Sequence, residues 1–390
     1  MQRFLVLIFF VASVLAQGAA SAHHRPGPIR IAAILSVTGP AGYLGSPEKK
    51  ALELEIEREN AAGGVLAHPI TLTVRDDESN ARKAETIARE LANPGNFDLL
   101  IGGSTTDTSL AIAAVAQKAG VPFIALGASA RIVEPRRSFV FKIPPTERMS
   151  IISVLADMRK RGLREISLVA ESSGFGKAAR QELRDFTHPQ GLGFKNYGIR
   201  LAGVVMIRRD GSNIEPQMAS LAAARNTGAI LIVAAGDLAP LATRKAREAG
   251  LKAPLYQTHA AACPEFLRAA GPAAEGVRVT TPPLAIADQL AENDPVRAPV
   301  AAFVAQFKER YGDAPCPFAG YGRDAAAIAT RAILRLEDIG LWDVRAALEG
   351  IQGFVGVTGV YHLHPSDHLG LAPGSLRMSE VKGGRFVLVD

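Results

Sequence analysis

The stretch "DLLIGGSTTDTS", residues 98–109, sets an apolar run, two glycines and a row of hydroxyls side by side. Hydroxyls at such a turn can cradle a phosphate, act as a nucleophile or hold a small anion. A phosphate loop of the G-x-x-x-x-G-K-[ST] kind needs a lysine that is missing here. A dinucleotide fingerprint needs G-x-G-x-x-G directly after the first strand, and "SVTGPAGYLG" (36–45) lacks that spacing. A nucleophile elbow needs G-x-S-x-G, which neither "GGSTTD" nor "ESSGFG" (171–176) provides. What remains is Ser104, Thr105 and Thr106 beside the free backbone amides of a helix start, an arrangement suited to a carboxylate. The same residue types also make a plain helix cap, and taken alone the cluster fits either reading.

Elements that would position this cluster alternate along the chain. "IRIAAIL", "ITLTV", "FDLLIG" and "VPFIAL" read as strands, with helices expected over 47–62, 81–91 and 108–119. The pattern restarts with a helix over 150–161 and strands at "EISLVA", "IRLAGVVMI", "AILIVAA" and "APLYQT". Further helices are expected over 296–311, 323–337 and 342–348, then β-like segments near "GVYHL" and "RFVLVD". Strands separated by helices imply parallel sheets covered on both faces. Two such α/β units in tandem place a ligand at the carboxyl ends of the strands, in the crevice between them. "STTDTS" falls at one of those ends.

The 390 residues suit about two domains. The net charge is +6, but the charges are scattered and the densest run, "RKRGLR" (159–164), reads as a solvated helix end. No basic stripe carries interleaved aromatics, so a nucleic-acid partner is not expected. Arg3, the 13-residue apolar run "FLVLIFFVASVLA" and "ASA" at 20–22 read as a signal peptide over 1–22. The mature chain is then expected to begin at His23, periplasmic and soluble, with no later membrane span. Cys263 and Cys316 are the only cysteines, and an exported chain could pair them. The histidines of "YHLHPSDH" (His362, His364, His368) have strand spacing for a metal pair, but no cysteine lies nearby and no metal or cofactor is expected.

The run from "IRIAAILSVTGPAGYLG" through "DDESNARKAETIARELA", then "LLIGGSTTDTSLAIAAVAQKAGVPFIAL" and "GLREISLVAESSGFGKAARQELRDF", resembles the leucine/isoleucine/valine-binding protein family. These are periplasmic solute-binding proteins of ABC importers, with two Rossmann-like lobes (the type I fold). The resemblance implies a cleft between lobe 1, residues 29–146 plus 281–356, and lobe 2, residues 147–280 plus 357–390. The proline-bearing "KIPPTE" and "TTPP" would be hinge crossings. It also implies a small-molecule ligand, a membrane permease as partner and a monomeric receptor without enzymatic activity.

Carried over residue by residue, the resemblance puts a ligand carboxylate on Thr106, flanked by Ser104 and Thr105. It puts an ammonium on Gly127 and Ser129, and an aromatic lid on Phe175. Where amino-acid binders carry an acid, this chain has His259 in "THAA", and Asp237 is the candidate substitute. Tyr43 and Phe318 would add apolar walls. A histidine can donate to a second ligand oxygen, so an aromatic or branched 2-oxo or 2-hydroxy acid is expected, with a branched-chain or other hydrophobic amino acid as the alternative. An exported hydrolase or isomerase is the reading from another class. It lacks a nucleophile–base pair in sequence, although His259 could approach the hydroxyl cluster in space.

Overall fold

Strands β1 (Ile29–Leu35), β3 (Leu99–Gly102), β6 (Glu165–Glu171) and β8 (Ala229–Val233) are almost wholly buried along their length. Such unbroken apolar runs belong in the middle of parallel sheets covered on both faces. Edge strand β2 (Ile70–Asp76) instead alternates between buried and exposed positions. The computed structural model describes residues 27–389, except 94, 225–227 and 337–342. The expected signal segment, the mature start at His23 and the ends of two expected helices at Glu337 and Trp342 lie outside the described residues.

The first sheet has the order β2-β1-β3-β4-β5, with β4 at Phe123–Ala125 and β5 at Val140–Lys142, all parallel. Helices α1 (Gly42–Ala61), α2 (Ala81–Leu91) and α3 (Thr106–Ala119) connect its strands. The second sheet adds β7 (Arg200–Ile207), β9 (Leu255–Gln257), β10 (Arg278–Thr281), β13 (Arg377–Lys382) and β14 (Arg385–Leu388). Its order is β14-β13-β10-β9-β8-β6-β7, and only β13 is reversed, antiparallel to both its neighbours β10 and β14. Helices α4 (Glu147–Lys160), α5 (Gly174–Thr187), α6 (Leu192–Tyr197), α7 (Ile214–Ala223), α8 (Leu238–Glu248) and α9 (Pro264–Ala270) accompany it. A hairpin of β11 (Phe354–Val355) and β12 (Val360–Tyr361) stands apart from both sheets. Neither β5 nor β10 was expected from sequence; each is too short to give a period.

Four of the helices that follow strand ends begin on polar caps. Asn80, Thr105, Thr146 and Ser173 each accept a backbone N–H from the first turn of α2, α3, α4 and α5. These caps turn the chain sharply at the carboxyl ends of the strands, where the lobes face each other.

The tail corrects the expected lobe boundaries. Helix α11 (Pro317–Leu334) packs along α1, with Tyr321, Ala325, Ile328 and Ala329 in the same core as Ile31, Leu52 and Ile101. Helix α12 (Val344–Glu349) joins that core through Val344, Ala347 and Leu348. Helix α10 (Arg297–Tyr311), expected with lobe 1, does not. Its Val300, Phe303 and Phe307 pack with Val277, Val279, Val381 and Phe386 of the second lobe. Side chains of the preceding segment fasten there as well: Gln289 donates to the Phe386 carbonyl at 2.7 Å and Asp294 pairs with Arg377 at 3.1 Å. "TTPP" leads into this packing, and the end of α10 reaches back to α1, where Tyr311 Oη donates to the Lys50 carbonyl at 2.9 Å. The amphipathic face of α10 matches either lobe in sequence, and the apolar surface beside β10 decides.

Candidate functional site

The two glycines of the opening stretch let the chain turn back on itself at the end of β3. Both have positive φ, and a Cβ on Gly102 would lie 1.9 Å from the Ile34 carbonyl oxygen. The turn delivers Ser104–Thr106 to a cleft between the lobes. About 600 Å³ of free space, part of it open to solvent, lies within the cleft. The first lobe lines it with Tyr43, Leu44, Glu48, Ser104–Asp107, Leu126, Ala128, Phe318 and Tyr321. The second lobe contributes Glu171, Ser173, Phe175, Arg209, Ala235, His259 and Ala260. Pro144, from the first crossing, completes the wall. The amino ends of α3 and α5 meet across it, where Gly174 N donates to Asp107 Oδ2 at 3.3 Å.

The three hydroxyls of the cluster have separate tasks. Thr105 is the helix cap: its Oγ1 accepts from Thr108 N at 3.1 Å, and Thr108 Oγ1 accepts from Thr105 N at 3.1 Å. Ser104 Oγ accepts from Ser36 N at 3.1 Å and donates to Glu48 Oε2 at 2.5 Å. Thr106 is buried, lines the cleft, and its Oγ1 has no partner within the protein. Leaving a buried hydroxyl unsatisfied costs about 1–3 kcal/mol. That cost is recovered when a ligand oxygen reaches it.

His259 is 2% exposed, and burial pushes its imidazole down to about 3. Its Nδ1 lies 2.8 Å from Ser150 Oγ, and Ser150 Oγ accepts from Thr280 Oγ1 at 3.0 Å. Ser150 therefore spends its own proton on Nδ1. This hydrogen-bond inference assigns the proton of the neutral ring to Nε2, leaving that nitrogen as a donor. Ser150 is fully buried and does not line the cleft, so the pair orients a ring and presents no nucleophile. Phe175 meets the His259 ring edge-on at 6.2 Å, and Tyr43, Phe318 and Tyr321 form an edge-to-face series with centroids 5.9 and 6.0 Å apart.

Other expected positions fall elsewhere. Ser129 is fully buried and donates to Glu147 Oε1 at 3.0 Å, so it is withdrawn from the cleft. Gly127 does not line the cleft; its N–H donates to Ser109 Oγ at 3.1 Å, and its neighbours Leu126 and Ala128 form the wall. Asp237 lines an adjoining cavity with Gly236, Cys263 and Cys316 and is absent from the cleft wall. Cys263 and Cys316 are free thiols, so the bond that export would permit is not formed. They nonetheless interact: a hydrogen bond donated to Cys316 and burial push the Cys263 thiol up, while accepting that bond holds Cys316 below its usual range. His368 is buried, stacked on Phe141 at 4.1 Å and bonded to Glu349 at 3.2 Å. Among the described residues no group of three or more His, Cys, Asp or Glu could hold a metal ion.

Four cleft residues were not singled out from the sequence. Glu171 accepts from Ser173 Oγ at 2.5 Å and from Ala235 N at 3.1 Å, and burial raises its carboxyl. Glu48 is 1% exposed and burial raises it well above the carboxylate range. Tyr321 is buried with its hydroxyl unpartnered. Arg209 supplies a cation on the second lobe. The buried face of α1 (Gly45, Glu48, Ala51, Leu52, Glu55, Ile56) carries the periodicity that could have pointed to Glu48.

A sequence-family model described as periplasmic binding protein matches residues 28–385. A Leu/Ile/Val-binding protein homolog 7 of Brucella abortus (strain 2308) is 27% identical over 197 residues, 48% of each chain. The chain thus spans about half the length of the curated relatives it matches. Among solved structures, an extracellular ligand-binding receptor from Rhodopseudomonas palustris HaA2 superimposes with a TM-score of 0.84 at 27% identity, covering 93% of this chain and all of that one. An ABC-transporter solute-binding protein from R. palustris, solved with benzoate, shares the fold with a TM-score of 0.77 at 20% identity over 93% and 96% of the two chains.

Proposed function

Because the chain belongs to the periplasmic binding protein family, we propose that it is an exported solute receptor. It would capture a small carboxylate between its lobes and deliver it to the membrane permease of an ABC importer. The observation that carries this reading is the buried, unpartnered Oγ1 of Thr106 at the amino end of α3, facing the interlobe cleft. A carboxylate there gains that hydroxyl and the partial positive charge of the helix end. Arg209, on the opposite lobe, adds charge from the far wall and favours closure around an anion.

The ligand's body meets Tyr43, Phe175 and Phe318, an environment for a ring or branched chain. Neutral His259 donates from Nε2 and repels nothing, which suits a 2-oxo or 2-hydroxy oxygen. It supplies no negative charge, and an ammonium desolvated beside it would be costly. We therefore favour an aromatic or branched 2-oxo or 2-hydroxy acid. The hydrophobic amino-acid reading gains one specific support: Glu171 lines the cleft where it could accept an ammonium. Calorimetry decides between them. Phenylpyruvate should bind at least tenfold more tightly than phenylalanine, a difference of about 1.4 kcal/mol, and His259→Glu should move the preference toward phenylalanine. Tighter binding of phenylalanine by the unaltered protein would reverse the assignment and make Glu171 the acid to replace.

A further inference from the structure

The carboxylate reading uses Thr106, Arg209 and His259 and leaves two polar groups of the same cleft without work. Glu48, on α1, has Oε2 engaged by Ser104 and Oε1 buried without a partner. Tyr321, on α11, has a buried hydroxyl without a partner. Both line the cleft, and they stand on the two helices that pack most closely together in the first lobe. Polar side chains more than nine-tenths buried and left unsatisfied on a cavity wall are costly to the empty protein. Neighbouring groups also oppose ionisation: Asp77 and Cys316 act on Glu48, and Cys263 and Cys316 act on Tyr321. Burial is the larger cause for each, and it pushes both groups toward their protonated forms. Glu48 then offers an O–H and Tyr321 a second one, and each oxygen can also accept.

We infer that Glu48 and Tyr321 form a second recognition point in the cleft, one that takes an uncharged hydroxyl or carbonyl carried by the body of the ligand. This inference rests on the carboxylate reading and narrows it to acids that bear a further neutral oxygen. A ligand hydroxyl would accept from one of the pair and donate to the other. A cationic group would need an ionised Glu48 that burial opposes. A bare phenyl ring would leave both groups unsatisfied.

The test compares phenylpyruvate with its 2-, 3- and 4-hydroxyphenyl forms by calorimetry on the full chain. The best hydroxylated acid should bind at least tenfold more tightly than phenylpyruvate. Tyr321→Phe and Glu48→Leu should each reduce that ratio below threefold, while Glu48→Gln, whose amide can still donate and accept, should retain it. Circular dichroism checks that each variant folds, and Tyr321→Phe carries the test if Glu48→Leu does not. Equal affinity across the series, or a ratio unchanged in Tyr321→Phe, overturns the inference. So does tighter binding of the 4-aminomethyl analogue, which is cationic. If amino acids bind in place of oxo acids, the 2-oxo or 2-hydroxy assignment changes, but the same ratio is read on phenylalanine and its ring-hydroxylated forms. Binding of neither series overturns both.

Discussion

Replacing Thr106 by valine removes one hydroxyl and keeps the side chain's branching and volume. In the folded protein that hydroxyl has no partner, so its loss breaks no intramolecular bond. An unsatisfied buried hydroxyl costs about 1–3 kcal/mol, so the free protein should be as stable as before or more stable by up to that amount. In the complex it donates to a carboxylate, and a hydrogen bond to a charged group is worth about 1.5–3 kcal/mol. At about 1.4 kcal/mol per decade, the dissociation constant should rise by roughly 10- to 140-fold. Thr105→Ala is the control, because Thr105 caps α3. That change should cost about 0.5–2 kcal/mol of stability with a smaller effect on affinity. Titration calorimetry with phenylpyruvate and thermal unfolding of the free protein measure the two quantities. The reasoning fails if Thr106→Val binds as tightly as the unaltered protein, or if it destabilises the free protein as Thr105→Ala does.

Gly322 lies against α1, and a Cβ there would sit 2.4 Å from the Glu48 carbonyl oxygen. Gly322→Ala should force the helices apart and lower stability by about 1–3 kcal/mol, as overpacking does, seen in chemical denaturation. His259 is held at about 3 against an ordinary 6.5, so its depressed value contributes stability above pH 6.5 that is lost as pH falls toward 3. His259→Gln should flatten that part of the pH profile of unfolding, and an unchanged profile would mean the ring is not buried as described. Treatment with diamide, which takes up the two protons and two electrons, should join Cys263 to Cys316. Mass spectrometry of unreduced peptides would show the bond, and persistent free thiols would count against their contact.

Much of the framework was legible because it is written locally. The apolar runs of β1, β3, β6 and β8, and the hydroxyl or amide caps that follow strand ends, need only their own neighbours to be recognised. The membership of α10 was not, since its apolar face fits whichever lobe leaves a matching surface, and that depends on β10, β13 and β14. In the cleft, Thr106, Phe175 and His259 came from the family resemblance, and they line the wall together with Tyr43 and Phe318. Ser129 is instead taken up by Glu147 and Asp237 faces the adjoining cavity, partnerships made by residues distant from each in the chain. Glu48 looked like one charge among many in "SPEKKALELEIER"; its burial depends on α11, more than 260 positions later in the chain.

The long return of α11 to α1 bears on the order in which the molecule can be assembled. All five strands of the first sheet have emerged by residue 142, yet the helix that covers α1 ends only at 334. Until then the apolar face formed by Leu52, Ile56 and Ile101 has no permanent cover. The second sheet waits still longer, for β13 and β14 at the very end. No single cut of the polypeptide releases an intact lobe, so isolating one would require rejoining distant segments. A ribosome-bound or truncated chain ending near residue 290 should hold both halves in an unfinished, chaperone-binding form.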